Sequence, residues 1–469
     1  MSSGCDARRV DAMTLTSTPE SAALRAVDGL HFPGEPAYED ARTAWNLMAD
    51  QHPIAIAVPE TIEDTARIVR DVSAAGRRIA PQVSGHGAPA LDQQALRDAV
   101  LLRLHRLTGV EVDTESRTAR VLGGTLWNEV VAAAAPHGLT ALHGSAGDVA
   151  VSGYTLGGGI SFYGRAHGLA SHHLRAVELI RSDGELVRAS ATEHSDLFWA
   201  LQGGGGGFGA VVALEIDLLP IAEVNAGMLL WDMSAASDVI AAWREWTHGL
   251  DRAATTSLRL LRFPPVPELP PFLSGRSLVI IDGAILGDDE LAADLLQPLR
   301  ALAPEVDTFA RMPVEGMLHV HMDPPVPSAA VSDHAMLGEL TDRALDALLA
   351  VAGPGVDAAP MIVEVRHLGG AFGDPRDAAM RCLDGEYAVM AVQPVPVPEF
   401  AERAGMLVEA AIDAMRPWAD CAPYLNFVDR PVDAAEAFDA ETLARLQRVR
   451  GQYDPNRVWL AAHALPEPS

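Results

Sequence analysis

Between Gly144 and Gly168 the chain carries Gly144, Gly147, Gly153, Gly157-Gly158-Gly159, Gly164 and Gly168. Glycine at that density disfavours a packed helix, and the residues between are too apolar for a linker. The backbone here must lie against something. A second small-residue segment, Pro81-Gln82-Val83-Ser84-Gly85-His86-Gly87-Ala88-Pro89, ends an apolar run and holds a single histidine. No bulky side chain would keep a large ligand off its main chain. The two segments read as two halves of one cradle.

A chain of 469 residues exceeds one core of ordinary size, so two or more subdomains are expected. The composition, 49% apolar and 21% charged, is that of a soluble globular protein. No apolar run is long enough to span a bilayer. Met1 to Arg9 is polar and lacks a signal-peptide core, so a cytoplasmic location is expected. Net charge is −28, and all 35 basic residues are Arg. Without Lys there is no P-loop lysine and no amine for a Schiff base. The acidic balance argues against nucleic-acid or anionic-membrane partners. Arg without Lys, with so much Ala, Gly and Pro, suggests a GC-rich bacterial genome. Cys5, Cys382 and Cys421 fit neither a metal site nor a closed disulfide framework, so free thiols are expected.

Residues 1 to 50 read as an extension with one or two short helices. Ile54 to Val58 is a strand, followed by a helix with Thr61 and Asp64 at capping-box spacing and Ile62, Ala66, Val69 and Val72 or Ser73 inward. Arg78 to Val83 is the strand that delivers the His86 turn. After strands at Val100–Leu104, Gly109–Val112 and Thr118–Leu122, Thr125 caps a helix to about Ala135. A hairpin turns at Asp183-Gly184. Asp196 to Gln202 is a short helix with Phe198 and Trp199 on one face. Gly203 to Gly209 matches GxGxxG, but it follows a helix and opens none, so a tight packing loop is the better reading than a Rossmann site. From Pro220 to Ala422 long strands (Met228–Asp232, Ser257–Phe263, Leu278–Ala284, Met361–Leu368, Tyr387–Gln393) alternate with helices (Val239–His248, Asp289–Ala301, Leu337–Val351, Pro398–Met415). That pattern predicts an antiparallel sheet covered on one face. A last helix is expected over Ala434–Gln452.

Residues Pro59 to Pro220 resemble the FAD-binding domain of the vanillyl-alcohol-oxidase (PCMH-type) superfamily, and within it the berberine-bridge-enzyme-like oxidases. The resemblance is carried by Ser84-Gly85-His86-Gly87, Gly153-Tyr154-Thr155-Leu156-Gly157-Gly158-Gly159, Tyr163-Gly164, and His167-Gly168-Leu169-Ala170. It continues in Asp196 to Gly206, Phe208-Gly209, Tyr424-x-Asn426 and Tyr453-Asp454-Pro455-x-Asn456. These are separate matches in order over most of the chain.

The resemblance implies an α+β fold: a PCMH-type FAD-binding domain of two α/β subdomains, plus a substrate domain with an antiparallel sheet covered by helices. The domains would be 1–220 (core about 51–220) for FAD, 221–422 for substrate, and 423–469 returning to the FAD domain. It places cofactor contacts on Val83, Ser84, Gly85, His86, Gly87 and Ala88 of the first turn. Others fall on Gly147, Asp148, Val149, Gly153, Tyr154, Gly157, Gly158 and Gly159, and on Leu169, Val211, Tyr424 and Asn426. His86 stands where relatives bond covalently to the flavin methyl group, and the amides of its turn can face the pyrophosphate as a backbone nest does. Relatives with a second link carry a cysteine near the position of Ala146, so one covalent link is expected. Gly207 replaces the usual Asn, and Phe427 replaces a tyrosine that is a base in some relatives. Val149 is the smaller branched residue that accompanies oxidases.

Candidates for proton handling are then Tyr154, Glu364 and Tyr424. Glu364 and Arg366 share one face of a strand, which points either to the flavin or to solvent. Tyr154 would stabilise charge on the reduced ring. His319, His321 and Asp323 form a weak metal-like pattern, better read as pocket lining or structure, and no metal is expected. The function implied is an FAD-dependent oxidase. It takes a small alcohol, amine or secondary-metabolite substrate and uses molecular oxygen. The alternatives are a carbohydrate oxidase, or a flavin-containing drug-binding resistance protein without turnover. Neither substrate identity nor oligomeric state is legible in the sequence.

Overall fold

Ala55-Ile56-Ala57 and Ala99-Val100-Leu101-Leu102 are continuous apolar runs, the pattern of strands buried on both faces. In the computed structural model, which describes residues 23–267 and 273–466, they are parallel neighbours. Arg78–Gln82 pairs in parallel on the far side of Ala99–Arg103, and Leu30–His31 closes the other edge antiparallel. The helix Ile62–Ala74 makes the crossover. Thr61 Oγ1 caps it, accepting from the Asp64 N–H at 3.0 Å. Its buried stripe is Thr65, Ile68, Val69 and Val72, rotated from the expected one, with Ile62 and Ala66 only partly covered. The chain end returns to this sheet, where Ile79 and Leu460 exchange main-chain bonds through Val458 and Ile79 carbonyls at 2.8 Å. Residues 1–22, including Cys5 and part of the expected N-terminal helices, lie outside the described residues.

A second sheet of five antiparallel strands runs Val110–Asp113, Thr118–Leu122, Ala210–Asp217, Leu174–Ile180, Leu186–Ser190. Its hairpin turns at Asp183-Gly184 as expected, with Gly184 at φ +83°. Two local expectations fail. Thr125 does not cap the helix that follows. Its Oγ1 accepts from the Gly109 N–H at 3.0 Å, and the helix Trp127–Ala134 starts after Leu126 with Glu129 reaching back to the Leu126 N–H. The glycine-rich segment does contain helix, though only in pieces: Val151–Leu156 and Gly164–His167.

The third sheet is antiparallel and eight-stranded. Its order is Val306–Asp307, Glu223–Asp232, Ser277–Ile285, Ala254–Arg262, Ile362–His367, Tyr387–Pro394, Ala330–Leu337, with Ala310–Pro313 beside Glu223–Asp232. Helices Ala236–Thr247, Asp289–Arg300, Asp342–Ala352 and Ala401–Met415 cover one face. Leu258, Leu260, Val279, Ile281, Val363, Val365 and Val389 point into that layer and are buried. Burying each such side chain contributes about 1.5–3 kcal/mol before entropy is counted. Trp243 lies wholly inside, its Nε1 donating to Thr256 Oγ1 at 3.1 Å. Because strand side chains alternate, the other face receives Ser257, Arg259, Asp282, Glu364, Arg366 and His334. Ala330–Leu337 was not expected as a strand, and the helix after it starts at Asp342 rather than Leu337. The final helix is Ala440–Tyr453, with only a 3₁₀ turn at Ala434–Glu436.

Candidate functional site

The strand Arg78–Gln82 ends in a turn that exposes backbone. Gly85 sits at φ +85°, and a Cβ there would lie 2.9 Å from that of Ala44, so glycine is required on both counts. The N–H groups of Gly85, His86 and Gly87 meet no protein acceptor among the described residues. A Cβ on Gly87, or on Gly153 across the site, would meet nothing within 4 Å. Val83 and Ala88 are buried on either side and fix the ends of the turn.

His86 is held on three sides. Trp45 stacks on it at 4.1 Å, Ser84 Oγ lies 2.8 Å from Nδ1, and Asp148 Oδ1 is 3.7 Å from Nε2. Burial, opposed by Asp148 and Asp323, pushes its pKa from 6.5 down to about 4. The ring is therefore neutral near pH 7, with a lone pair available. Asp148 comes from the loop Gly147-Asp148-Val149. Gly147 and Val149 carbonyls accept from Asn128 and Trp127 N–H groups at 2.9 and 3.1 Å.

The glycine platform is packed against protein side chains. A Cβ on Gly157 would fall 1.9 Å from Asn426 Oδ1, on Gly158 2.7 Å from Met380 Sδ, and on Gly159 2.5 Å from Tyr154 Cε1. The run thus lets the Tyr424–Asn426 stretch settle beside Tyr154. Tyr424 Oη accepts from the Gly159 N–H at 2.8 Å and from Asn426 Nδ2 at 3.1 Å, and Asn426 Nδ2 also donates to the Tyr154 carbonyl at 3.0 Å. Burial pushes the Tyr424 phenol up to about 12 and Tyr154 well above its usual range. Tyr154 Oη is buried with no partner. Leu169 lies in the apolar cluster beneath Tyr424, and Val211 packs in the core of the second sheet.

Glu364 resolves the either-or of its strand by pointing inward, almost fully buried. Arg366 Nε donates to its Oε1 at 2.7 Å, and His321 Nε2 lies 3.7 Å from the same oxygen. His321 Nδ1 bonds Asp282 at 2.9 Å, and Asp282 also takes the Arg259 guanidinium and Ser257 Oγ. Burial raises the Asp282 pKa, but Arg259 and His321 outweigh it and hold the group at about 2. Burial also raises Asp323, which His321 and Ser145 outweigh to keep it below the usual range, and its Oδ2 has no partner. Arg366 stands over the Phe427 ring at 5.3 Å. His319 lies on the 3₁₀ turn Val314–His319, not on a strand, and is exposed while His321 is buried, so the two do not converge. No cluster of three metal-ligating side chains occurs among the described residues. Sequence reasoning missed Trp45, Asp282 and Arg259, which sit in no motif. Asp323 belongs to the weak metal-like pattern of the sequence, which gives no sign of its place between His86 and Arg366.

Free turn amides, a neutral histidine, and an unpartnered buried phenol are what a flavin dinucleotide needs from a protein. Residues 53–190 match the family model described as FAD binding domain. Glucooligosaccharide oxidase of Sarocladium strictum is 34% identical over 206 residues, covering 44% of this chain and 41% of its own. (R)-6-hydroxynicotine oxidase of Paenarthrobacter nicotinovorans is 25% identical over 448 residues, covering 90% and 93%. Against the first curated relatives the chain spans half of their length or less. No helix among the described residues is long and apolar enough to cross a membrane. The structure of the BBE-like 1 protein of Physcomitrella patens superposes with TM-score 0.81 at 20% identity, over 96% of this chain and all of that one. The chain carries an FAD-binding domain and has the fold of the vanillyl-alcohol-oxidase (PCMH-type) flavoproteins, berberine-bridge-enzyme-like.

Proposed function

We propose that this chain is an FAD-dependent oxidase of a small alcohol, amine or secondary-metabolite substrate, with FAD held by one covalent link through His86. The observation that carries the reading is a buried charged face of the third sheet, Arg259, Asp282, Glu364 and Arg366, lying across from the His86 turn. Asp323 bridges the two, close enough to bias both His86 and the Arg366 side. A solved glucooligosaccharide oxidase from Acremonium strictum, 22% identical, carries a 6-S-cysteinyl, 8α-N1-histidyl FAD. In this chain Ala146 stands where the cysteine is expected, which supports a single link.

Turn amides of Gly85 to Gly87 bind the pyrophosphate, with further contacts from the Gly147-Asp148-Val149 loop. Glu364, held by Arg366, takes the substrate proton. His321, held by Asp282 and through it by Arg259, stands beside Glu364 and steadies its carboxylate. Phe427 cannot take a proton, so the base falls to the sheet. Tyr154 aims an unused hydroxyl into the site, and Tyr424, its oxygen already accepting two hydrogen bonds, can only donate its proton. FAD, when bound, supplies the hydride acceptor, and oxygen takes the two electrons with two protons as hydrogen peroxide. The relatives' names, oxidases of oligosaccharides and of hydroxynicotine among them, favour turnover over sequestration. They keep carbohydrates as the main alternative substrate.

The test is a panel of secondary alcohols, amines and reducing oligosaccharides. Flavin absorbance is followed without oxygen, and peroxide is assayed in air. At least one class is expected to bleach the flavin and release one peroxide per turnover. Stoichiometric tight binding with no bleaching by any class would instead make the chain a binding protein.

A further inference from the structure

Three segments distant in sequence close on one imidazole. Trp45 lies against the His86 ring with planes 17° from parallel, and its Nε1 donates to Asp148 Oδ2 at 2.6 Å. The other carboxylate oxygen, Oδ1, faces His86 Nε2 at 3.7 Å. On the opposite edge Ser84 Oγ lies 2.8 Å from Nδ1. The main chain fixes Trp45 in place. Its N–H donates to the Ser84 carbonyl at 2.9 Å, and its carbonyl accepts from Ser328 at 3.1 Å, just before the strand Ala330–Leu337. So the residue on the imidazole face is tied both to the histidine turn and to the third sheet. Neither Trp45 nor the Asp148 carboxylate takes part in the proton handling assigned to Glu364 and its neighbours.

A neutral imidazole has one N–H and one lone pair, and the groups around it decide which nitrogen carries which. A carboxylate opposite Nε2 favours the proton on Nε2. The Ser84 hydroxyl then donates to the Nδ1 lone pair, and that hydrogen bond is released when the lone pair becomes the nucleophile. Stacking on Trp45 fixes the plane of the ring, so the lone pair keeps one direction.

We propose that Trp45 and Asp148 are positioning residues for the flavin link: they hold His86 protonated at Nε2, so that Nδ1 is the atom that bonds to the flavin. This rests on the covalent link proposed above. In that step the bond from Nδ1 to the flavin methyl carbon forms and one methyl C–H bond breaks. The C–H proton leaves to solvent, and two electrons remain on the flavin. Oxygen is the oxidant that removes them, as peroxide. Bond formation leaves the imidazole cationic with its proton on Nε2, where the Asp148 carboxylate stabilises it.

The full-length apoprotein, made in flavin-starved cells, is mixed with saturating FAD in air, and the flavin that stays with the acid-denatured chain is followed with time. Total bound FAD is measured on the same samples before denaturation. Wild type, Asp148→Asn and Trp45→Phe are compared, and a peptide of the linked wild type is analysed by NMR for the attached nitrogen. Asp148→Asn is expected to bind FAD yet link it on the order of 10²-fold more slowly. Trp45→Phe, which keeps the stack but loses the donor to Asp148, falls between. The wild-type link is expected on Nδ1. Linking at the wild-type rate in Asp148→Asn, or a wild-type link through Nε2, overturns the role while leaving the link intact. A wild-type chain that binds FAD and releases all of it overturns the link and this role with it. If Asp148→Asn does not fold, the attached nitrogen in wild type still decides.

Discussion

Glu364 is buried, yet its carboxylate has one arginine at 2.7 Å and one histidine at 3.7 Å rather than a closed ring of partners. A buried carboxylate persists only where such partners offset its desolvation. Glu364→Gln keeps the shape and removes the base. It is expected to retain FAD but lower the rate of flavin bleaching by substrate on the order of 10²–10³-fold, measured by anaerobic stopped flow. Equal bleaching rates would move the base elsewhere in the site. At this scale the sequence was informative where chemistry is local. The pair Glu364 and Arg366 shares a face because strand residues alternate, and His86 announces itself by its small neighbours. Trp45 was silent, because its partner Asp148 lies 103 positions away and no spacing records that meeting. Whether Glu364 faced in or out was equally undecidable, since an inward charged strand face looks like a solvated one until its covering is known.

Among elements, the glycine platform has the sharpest consequence. Three consecutive glycines are needed because Asn426, Met380, Tyr424 and Tyr154 occupy the space their Cβ atoms would take. Gly157→Ala places a methyl 1.9 Å from Asn426 Oδ1. It is expected to destabilise the chain by about 1–3 kcal/mol in urea unfolding and to lower FAD occupancy, since Asn426 also holds the Tyr154 carbonyl and the Tyr424 hydroxyl. Unchanged stability and occupancy would show that Asn426 moves aside freely. The glycine density implies backbone laid against something, and the structure identifies much of that something as the chain's own C-terminal segment. The strand Ala330–Leu337 escaped because Ser332, Asp333 and His334 interrupt its apolar residues. Ser332 and His334 turn toward the site rather than the helix layer, so burial there leaves no hydrophobic signature. The five long strands and four helices around it are legible because Leu, Ile and Val alternate or recur on the face that meets the core.

For the whole molecule, histidine burial sets the response to acid. His86, His143 and His334 are each pushed by burial from 6.5 to about 4. Between those values the unfolded chain takes up protons that the folded chain refuses, so stability falls as pH drops from about 6.5 toward 4. Asp429 works in the opposite sense. Burial raises it from 3.8 to about 6, so its contribution is lost as pH rises through that range. Burial raises Asp454 in the same sense, but these two carboxyls stand against a larger set of histidines lowered by burial, His367 among them, so the acid loss dominates. Melting temperature is therefore expected to decline steadily from pH 7 to pH 4.5. A flat profile would mean that the three rings take up protons in the folded state. At this scale the change of pattern at Pro220 falls just before Glu223, where the third sheet begins. The return of the chain end to the first sheet through Val458 and Leu460 had no local mark beyond the Tyr453-Asp454-Pro455 turn.

The proposed tether of the flavin to this chain is a single histidine, His86. Purified wild type and His86→Ala are denatured in acid, washed, and read at flavin wavelengths beside the protein on a gel. Wild type is expected to keep its yellow colour with the chain, and His86→Ala to lose it while still binding FAD in the native state. Colour that washes out of wild type, or stays with His86→Ala, contradicts the link through His86.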